Sequence, residues 1–233
     1  MSKYLVTGGS SGTGLQVVKD LISEENEVWA ASRSQGGLSE VSGVRWQSYD
    51  VTDKEAELTD LPEVLDGLVY APGTINLKPF HMIREQVFRD EMKVNFFGAV
   101  RVIQKVLDKL KKSENAAIVL FSTVAVQTGM PFHASIAAGK GAIEGLTRSL
   151  AAEFAPKIRV NAIALSLIDT PLAERLLNNE KKRETSAERH PLARVGATQD
   201  SSEATRYLLS PKSGWVSRQI LQVDGGMSAV RSL

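Results

Sequence analysis

Cysteine is absent from all 233 residues, which excludes disulfides, thiolate metal sites and a cysteine nucleophile, and no metal is expected. Charge of one sign is also lacking. The 28 basic residues are matched by 27 acidic ones, a net of +1, and the two kinds are interspersed, so no nucleic-acid and no membrane partner is expected. No apolar run is long enough to span a bilayer, and the opening MSKYLVTGG has no charged region leading into a long apolar stretch. A cytoplasmic chain is expected. Internal repeats, low-complexity tracts and linkers are missing too. With 42% hydrophobic residues, residues 1–233 read as one domain with one sizeable core.

Short β-rich apolar runs do alternate with longer segments of helical period, the pattern of βαβ units. Strands are expected at Tyr4–Thr7, Val28–Ser32, Val44–Tyr49, Gly67–Ala71, Ala117–Ser122, Arg159–Ala164 and Gln219–Val223. Helices are expected at Gly14–Ser23, Phe80–Asp90, Val94–Lys112, His133–Phe154, Pro171–Lys181 and Asp200–Leu209. The fold class is α/β, a doubly wound parallel sheet of about seven strands with helices on both faces. Between Pro171 and His190 lies the highly charged NNEKKRETSAERH. It reads either as a solvated helical face or as a lid over a substrate pocket, residues 171–190. Lys181, Lys182 and Arg183 in it are candidate phosphate contacts.

The stretch YLVTGGSSGTGL is a strand, a glycine-rich turn and the start of an amphipathic helix. Gly8, Gly12 and Gly14 allow a tight turn, close approach of backbone to a pyrophosphate, and helix-on-strand packing. Ser10, Ser11 and Thr13 lie in the same turn. The helix behind it offers unpaired N–H groups and a positive dipole end. Such a turn can be merely a turn, but here the strand before and helix after meet the context of a dinucleotide site. The second strand ends in Ser32 and Arg33 rather than an acidic residue. A hydroxyl and a guanidinium suit a 2′-phosphate, whereas a carboxylate would repel it. NADP(H) is therefore expected over NAD(H), the alternative being that Arg33 is a plain surface arginine.

Taken together, the motifs resemble those of the short-chain dehydrogenase/reductase (SDR) family along essentially the whole chain. Thr7-Gly8, Gly12 and Gly14 match its TGxxxGxG turn, and Asp50-Val51 the pair that contacts adenine. Tyr70-Ala71-Pro72-Gly73 stands where the family carries NNAG. Asn95 in KVNFFGAV matches its structural and catalytic asparagine. Ile168 and Thr170 match positions at the nicotinamide carboxamide and phosphates, and Val223-Asp224-Gly225-Gly226 matches VDGG. The resemblance implies a single Rossmann-fold domain, an oxidoreductase acting on a small-molecule substrate, and a homodimer or homotetramer built on the apolar helices.

The chain also departs from that pattern. The family's usual chemistry uses serine, tyrosine and lysine, the last two spaced YxxxK so that both lie on one helix face. The lysine lowers the tyrosine pKa and holds the nicotinamide ribose, and the tyrosine exchanges a proton with the substrate oxygen. In HASIAAGK, Lys140 is present but the tyrosine position is Ile136. The serine position is Thr123, which keeps a hydroxyl. His133, seven residues before Lys140, is either a stand-in proton donor or a helix-start residue bound to a loop. Leu165-Ser166 replaces the family's Pro-Gly, and Ser166 reads as a loop substitution or as pocket lining. Resemblance gives Thr123 a hydrogen bond to the substrate oxygen and Asn95 a water near Lys140. An enoyl-type substrate needs enolate stabilisation more than an acid, so a conjugated or a carbonyl-containing substrate is expected. The rivals are a catalytically silent NADP(H)-binding sensor or scaffold, and a structural subunit without cofactor.

Overall fold

A computed structural model describes residues 1–230. Seven parallel strands form one sheet in the order β3-β2-β1-β4-β5-β6-β7. They are β1 Lys3–Thr7, β2 Glu27–Ser32, β3 Val44–Ser48, β4 Gly67–Tyr70, β5 Ala116–Thr123, β6 Ile158–Leu165 and β7 Ile220–Val223. Each expected strand is present, shifted by at most one residue at either end. Continuous apolar runs such as AAIVLFS form these strands because both faces of a covered parallel sheet are buried.

Alternate side chains fill two cores. Leu5, Leu68, Ile118, Leu120 and Val160 face one layer, while Val6, Val69, Val119 and Ile163 face the other. The first layer is covered by α3 Gly98–Lys111 and α5 Ala134–Phe154, the second by α1 Gly12–Ser23 and α8 Thr198–Leu209. β1 lies between β2 and β4, so the chain winds outward in both directions from it. A crevice opens at the carboxyl ends of the strands at such a switch point.

Three expected helices need correction. Phe80–Asp90 is a 3₁₀ turn at Phe80–Met82 followed by α2 Glu85–Met92. The helix expected from Val94 is instead the continuation of α2 through a π turn at Lys93–Phe97 into α3. The π turn inserts a residue, which turns Asn95 into the interior. Pro171–Lys181 breaks into a 3₁₀ turn at Pro171–Ala173, α6 Glu174–Leu177 and α7 Glu180–Glu188. Asn179 forces the break because its side chain accepts from Lys182 N at 2.9 Å and caps α7. A short helix, α4 Ala125–Thr128, follows β5. Among the described residues, no helix is long and apolar enough to cross a membrane.

Candidate active site

A cleft of about 1040 Å³ runs along the carboxyl ends of the strands. Its walls include Gly8, Ser10, Ser11, Gly12, Thr13 and Gly14 at the turn after β1, with Ser32 and Arg33 after β2. Asp50 and Val51 follow β3, and Ala71, Pro72 and Gly73 follow β4. Thr123, His133, Ile136 and Lys140 lie at the other end with Ile168 and Thr170. Two expected residues, Asn95 and Arg183, are not on the wall.

The glycine turn is built as a close cradle. Gly8 takes φ +76° and Gly12 φ +53°, values that residues with a Cβ rarely adopt. A Cβ on Gly14 would overlap the Gly8 carbonyl oxygen, and one on Gly8 would come within 2.8 Å of Pro72 N. The first turn of α1 holds no acidic residue, and Ser11 at its start makes no side-chain cap bond. Those N–H groups therefore face the cleft unpaired, a ready anion seat. Thr13 Oγ1 is paired with Ser201 Oγ at 2.9 Å, leaving its backbone amide for a ligand.

Ser32 and Arg33 divide their work. The Ser32 hydroxyl donates to Ser34 O at 2.8 Å and accepts from Trp46 Nε1 at 3.0 Å. It shapes the loop and has no proton left for a phosphate. Arg33 is exposed and, among the described residues, has no ion-pair partner. Asp50 is held below the usual carboxylate range, first by the Thr52 backbone N–H and then by the Thr52 hydroxyl, both on Oδ1.

The cleft is strongly basic, which the balanced composition conceals. Arg33, Lys140, Arg175, Lys181, Lys182 and Arg189 line it, against the one carboxylate of Asp50. Most of these cations belong to the 171–190 segment, which forms one wall of the cleft. Arg183 is occupied elsewhere, paired with Asp169 at 2.6 Å.

At the far end Lys140 is 8% exposed. Burial pushes its ammonium down to about 8, while the Glu91 carboxylate pulls the other way. Ile136, one turn earlier on α5, presents an apolar side chain to the same cavity. Tyr49 is the tyrosine that lines the cleft, and it sits beside Asp50 at the Arg33 end. Thr123 Oγ1 accepts from Ala125 N at 3.3 Å, so its own proton is free for a ligand. His133 is not helical: it stands just before α5, with Nδ1 2.7 Å from Pro131 O.

Sequence reasoning missed two clusters. Glu91 is buried at 1% exposure and accepts from Thr74 Oγ1, from Asn76 Nδ2 at 2.8 Å and from Asn95 Nδ2 at 2.9 Å. Asn95 Oδ1 is buried without a partner. Second, Ser166 Oγ lies 2.7 Å from His190 Nε2, and both residues line the cleft. The departure at Ser166 was visible in sequence, but nothing there joined it to a histidine inside the charged segment.

A family model described as enoyl-(acyl carrier protein) reductase matches residues 9–228. The chain belongs to the short-chain dehydrogenase/reductase family. A tropinone reductase homolog from Datura stramonium is 32% identical over 241 residues, covering 95% of this chain and 90% of the relative. A 3-oxoacyl-(acyl-carrier-protein) reductase from Thermotoga maritima is 31% identical, covering 96% of each chain. The crystal structure of an actinorhodin polyketide ketoreductase with NADPH superposes with a TM-score of 0.92 at 25% identity, over 98% of both chains. This SDR is therefore an oxidoreductase by family, with the single seven-stranded Rossmann-type sheet of its structural neighbours.

Proposed function

We propose that this SDR is an NADP(H)-dependent oxidoreductase that moves hydride to or from a small carbonyl-containing or conjugated, enoyl-type substrate. One observation carries the reading: a single basic cleft joins an anion seat to a buried lysine with a free hydroxyl nearby. A cradle that a Cβ would fill at Gly14, and cations facing one carboxylate, fit a dinucleotide with an extra phosphate. The ketoreductase neighbour holds NADPH, which supports the same choice over NAD(H).

When bound, the nicotinamide supplies or accepts hydride; the chain does the rest. Backbone amides of Ser10, Ser11, Gly12 and Thr13 hold the pyrophosphate, and Arg33 grips the 2′-phosphate. Asp50 and Val51 flank the adenine. Ala71, Pro72 and Gly73 close the floor, and Ile168 and Thr170 meet the carboxamide end. Lys140 donates to the nicotinamide ribose, and Thr123 donates to the substrate oxygen. Asn95 acts from behind Gly73, its unpaired Oδ1 accepting from a water that reaches toward Lys140. Residues 171–190 serve as a substrate lid. His133, with Nδ1 tied to Pro131 O, stays in reach of the cavity but is bound as a helix-start residue would be.

A homodimer or homotetramer is part of the reading. Ala138, Gly145 and Ser149 form an exposed small-residue stripe on α5 that allows close helix packing, and light scattering checks it. Action in the cytoplasm, without nucleic-acid or membrane partners, is part of the same reading, in keeping with a net charge of only +1.

The test is a titration with NADPH and NADH, followed by coenzyme turnover against ketones, secondary alcohols, enones and enoyl thioesters. NADPH binding with turnover on one of these classes supports the proposal. Tight binding with no turnover on any of them returns the silent sensor or scaffold, and no binding of either coenzyme sinks both.

A further inference from the structure

We propose that Ser166 and His190 form a proton relay that exchanges the substrate-oxygen proton in place of the phenol that Ile136 cannot supply. The inference rests on the oxidoreductase reading above. Ser166 is the first residue beyond β6, whose last residue, Leu165, is the register partner of Thr123 at the end of β5. The two hydroxyl residues therefore emerge side by side at the reacting end of the cleft, and both line it.

The hydrogen bonds fix the protons. His190 Nδ1 lies 2.7 Å from Ser186 O, and a carbonyl only accepts, so Nδ1 carries a hydrogen. In the neutral ring Nε2 is then bare. The 2.7 Å contact to Ser166 Oγ must be serine O–H donating to imidazole nitrogen. Met227 Sδ, 3.0 Å from the same hydroxyl, is a far weaker acceptor. The result is a hydroxyl polarised by a base whose other nitrogen is oriented by a third group.

The ring is held in place. His190 is 5% exposed, with Ser186 of α7 on one side and the C-terminal glycine turn on the other. Gly225 takes φ +61°, and a Cβ there would lie 3.5 Å from His190 Cβ. Asp224 secures that turn by accepting from Gly226 N at 2.9 Å and Ser228 N at 2.8 Å. Ser166 is only half-buried, so its oxygen remains open to a ligand. A fully partnered structural pair with no chemistry is the competing description, and the test separates the two.

In the oxidising direction the substrate alcohol passes its O–H proton to Ser166 Oγ while Ser166 passes its own to His190 Nε2. The C–H pair leaves carbon as hydride to the oxidised nicotinamide dinucleotide, and the C=O bond forms. The products are carbonyl, reduced dinucleotide and imidazolium, whose Nδ1–H bond to Ser186 O strengthens with the charge. Reduction is the reverse, with imidazolium as the proton source. Ser166 touches the substrate and is catalytic; His190 acts through it.

The experiment compares wild type with Ser166→Ala, His190→Gln and the double variant on whichever ketone or secondary alcohol the wild type turns over fastest. Each single substitution is expected to lower kcat about 10²–10⁴-fold, with KM and NADPH affinity changed less than about threefold. The double variant should lose little more than either single one, since members of a unit are not additive. Nitrogen NMR of the cofactor-free protein should show a protonated Nδ1 and a bare Nε2 on His190, with Nε2 alone shifting in Ser166→Ala. Ser166→Ala with near wild-type kcat, losses that multiply in the double variant, or a proton on Nε2 of the neutral ring overturns the relay and leaves the oxidoreductase reading standing. A wild type that turns over enones or enoyl thioesters but no ketone or secondary alcohol overturns the relay alone, and no turnover on any of these classes overturns both. If His190→Gln melts early, Ser166→Ala and the NMR signature decide.

Discussion

Lys140 Nζ and Asn95 Oδ1 converge on Gly73, each 3.7 Å from the point where a Cβ on that glycine would sit. The amide oxygen has no partner, and among the described residues no hydrogen bond reaches the ammonium. A buried cation without a partner is costly. Its pKa falls from an ordinary 10.5 to about 8, on the order of 3 kcal/mol at neutral pH. Between about pH 8 and 10.5 the unfolded chain keeps a proton that the folded chain has released. Stability from this group therefore rises with pH through that window. Lys140→Met should be more stable than wild type at pH 7, and the gap should close by pH 10.5. Denaturant melts of both proteins at several pH values check this. Parallel curves would show that Lys140 is not strained.

Arg33 is the exposed cation at the other end of the cleft, and the hydroxyl proton of its neighbour Ser32 is already committed to the Ser34 carbonyl. Discrimination between the coenzymes therefore rests on the guanidinium. A hydrogen bond to a charged group contributes about 1.5–3 kcal/mol. Arg33→Ala should weaken NADPH binding by about 10–100-fold and leave NADH almost unchanged, whereas Ser32→Ala should leave the NADPH-to-NADH ratio nearly as it was. Fluorescence titrations give both ratios.

How legible was this in the chain? Buried parallel strands announce themselves, because a run such as Ala116–Thr123 must be apolar on both faces. The glycine cradle was legible for a similar reason, since positive φ at Gly8 and Gly12 and contact at Gly14 leave no room for another residue. The π turn at Lys93–Phe97 was not, because one extra residue in a helix leaves no mark on hydrophobic period. Nor were the Glu91 network and the Ser166–His190 pair. Each depends on polar residues meeting across loops, and Ser166 and His190 are separated by 24 positions. Ser32 shows the opposite error, as a side chain of the right type in the right place whose bonds are already spent.

Gly98 illustrates a packing constraint tied to the same region. A Cβ there would overlap the hydroxyl of Tyr70, which donates to Val94 O in the π turn. Burial holds the Tyr70 phenol above its usual range, so it stays a neutral donor. Gly98→Ala should cost about 1–3 kcal/mol through overpacking, and Tyr70→Phe about 1 kcal/mol for the lost bond. The double variant should cost less than their sum, because removing the hydroxyl makes room for the methyl. Thermal melts of the three variants complete the cycle; simple additivity would mean that the backbone shifts instead.

Ile136 offers the sharpest check on the missing phenol. Its side chain lines the cavity one turn before Lys140 on α5, so Ile136→Tyr puts a phenol on the face where the lysine charge lowers its pKa. In wild type the gain should be small if Ser166 already exchanges the proton. In Ser166→Ala the same substitution should recover at least about tenfold of the lost kcat, within the range of a general acid's contribution. Steady-state rates for the two backgrounds settle the comparison. A large gain in wild type with none in Ser166→Ala would mean that the cavity lacks any working donor and that Ser166 contributes shape alone.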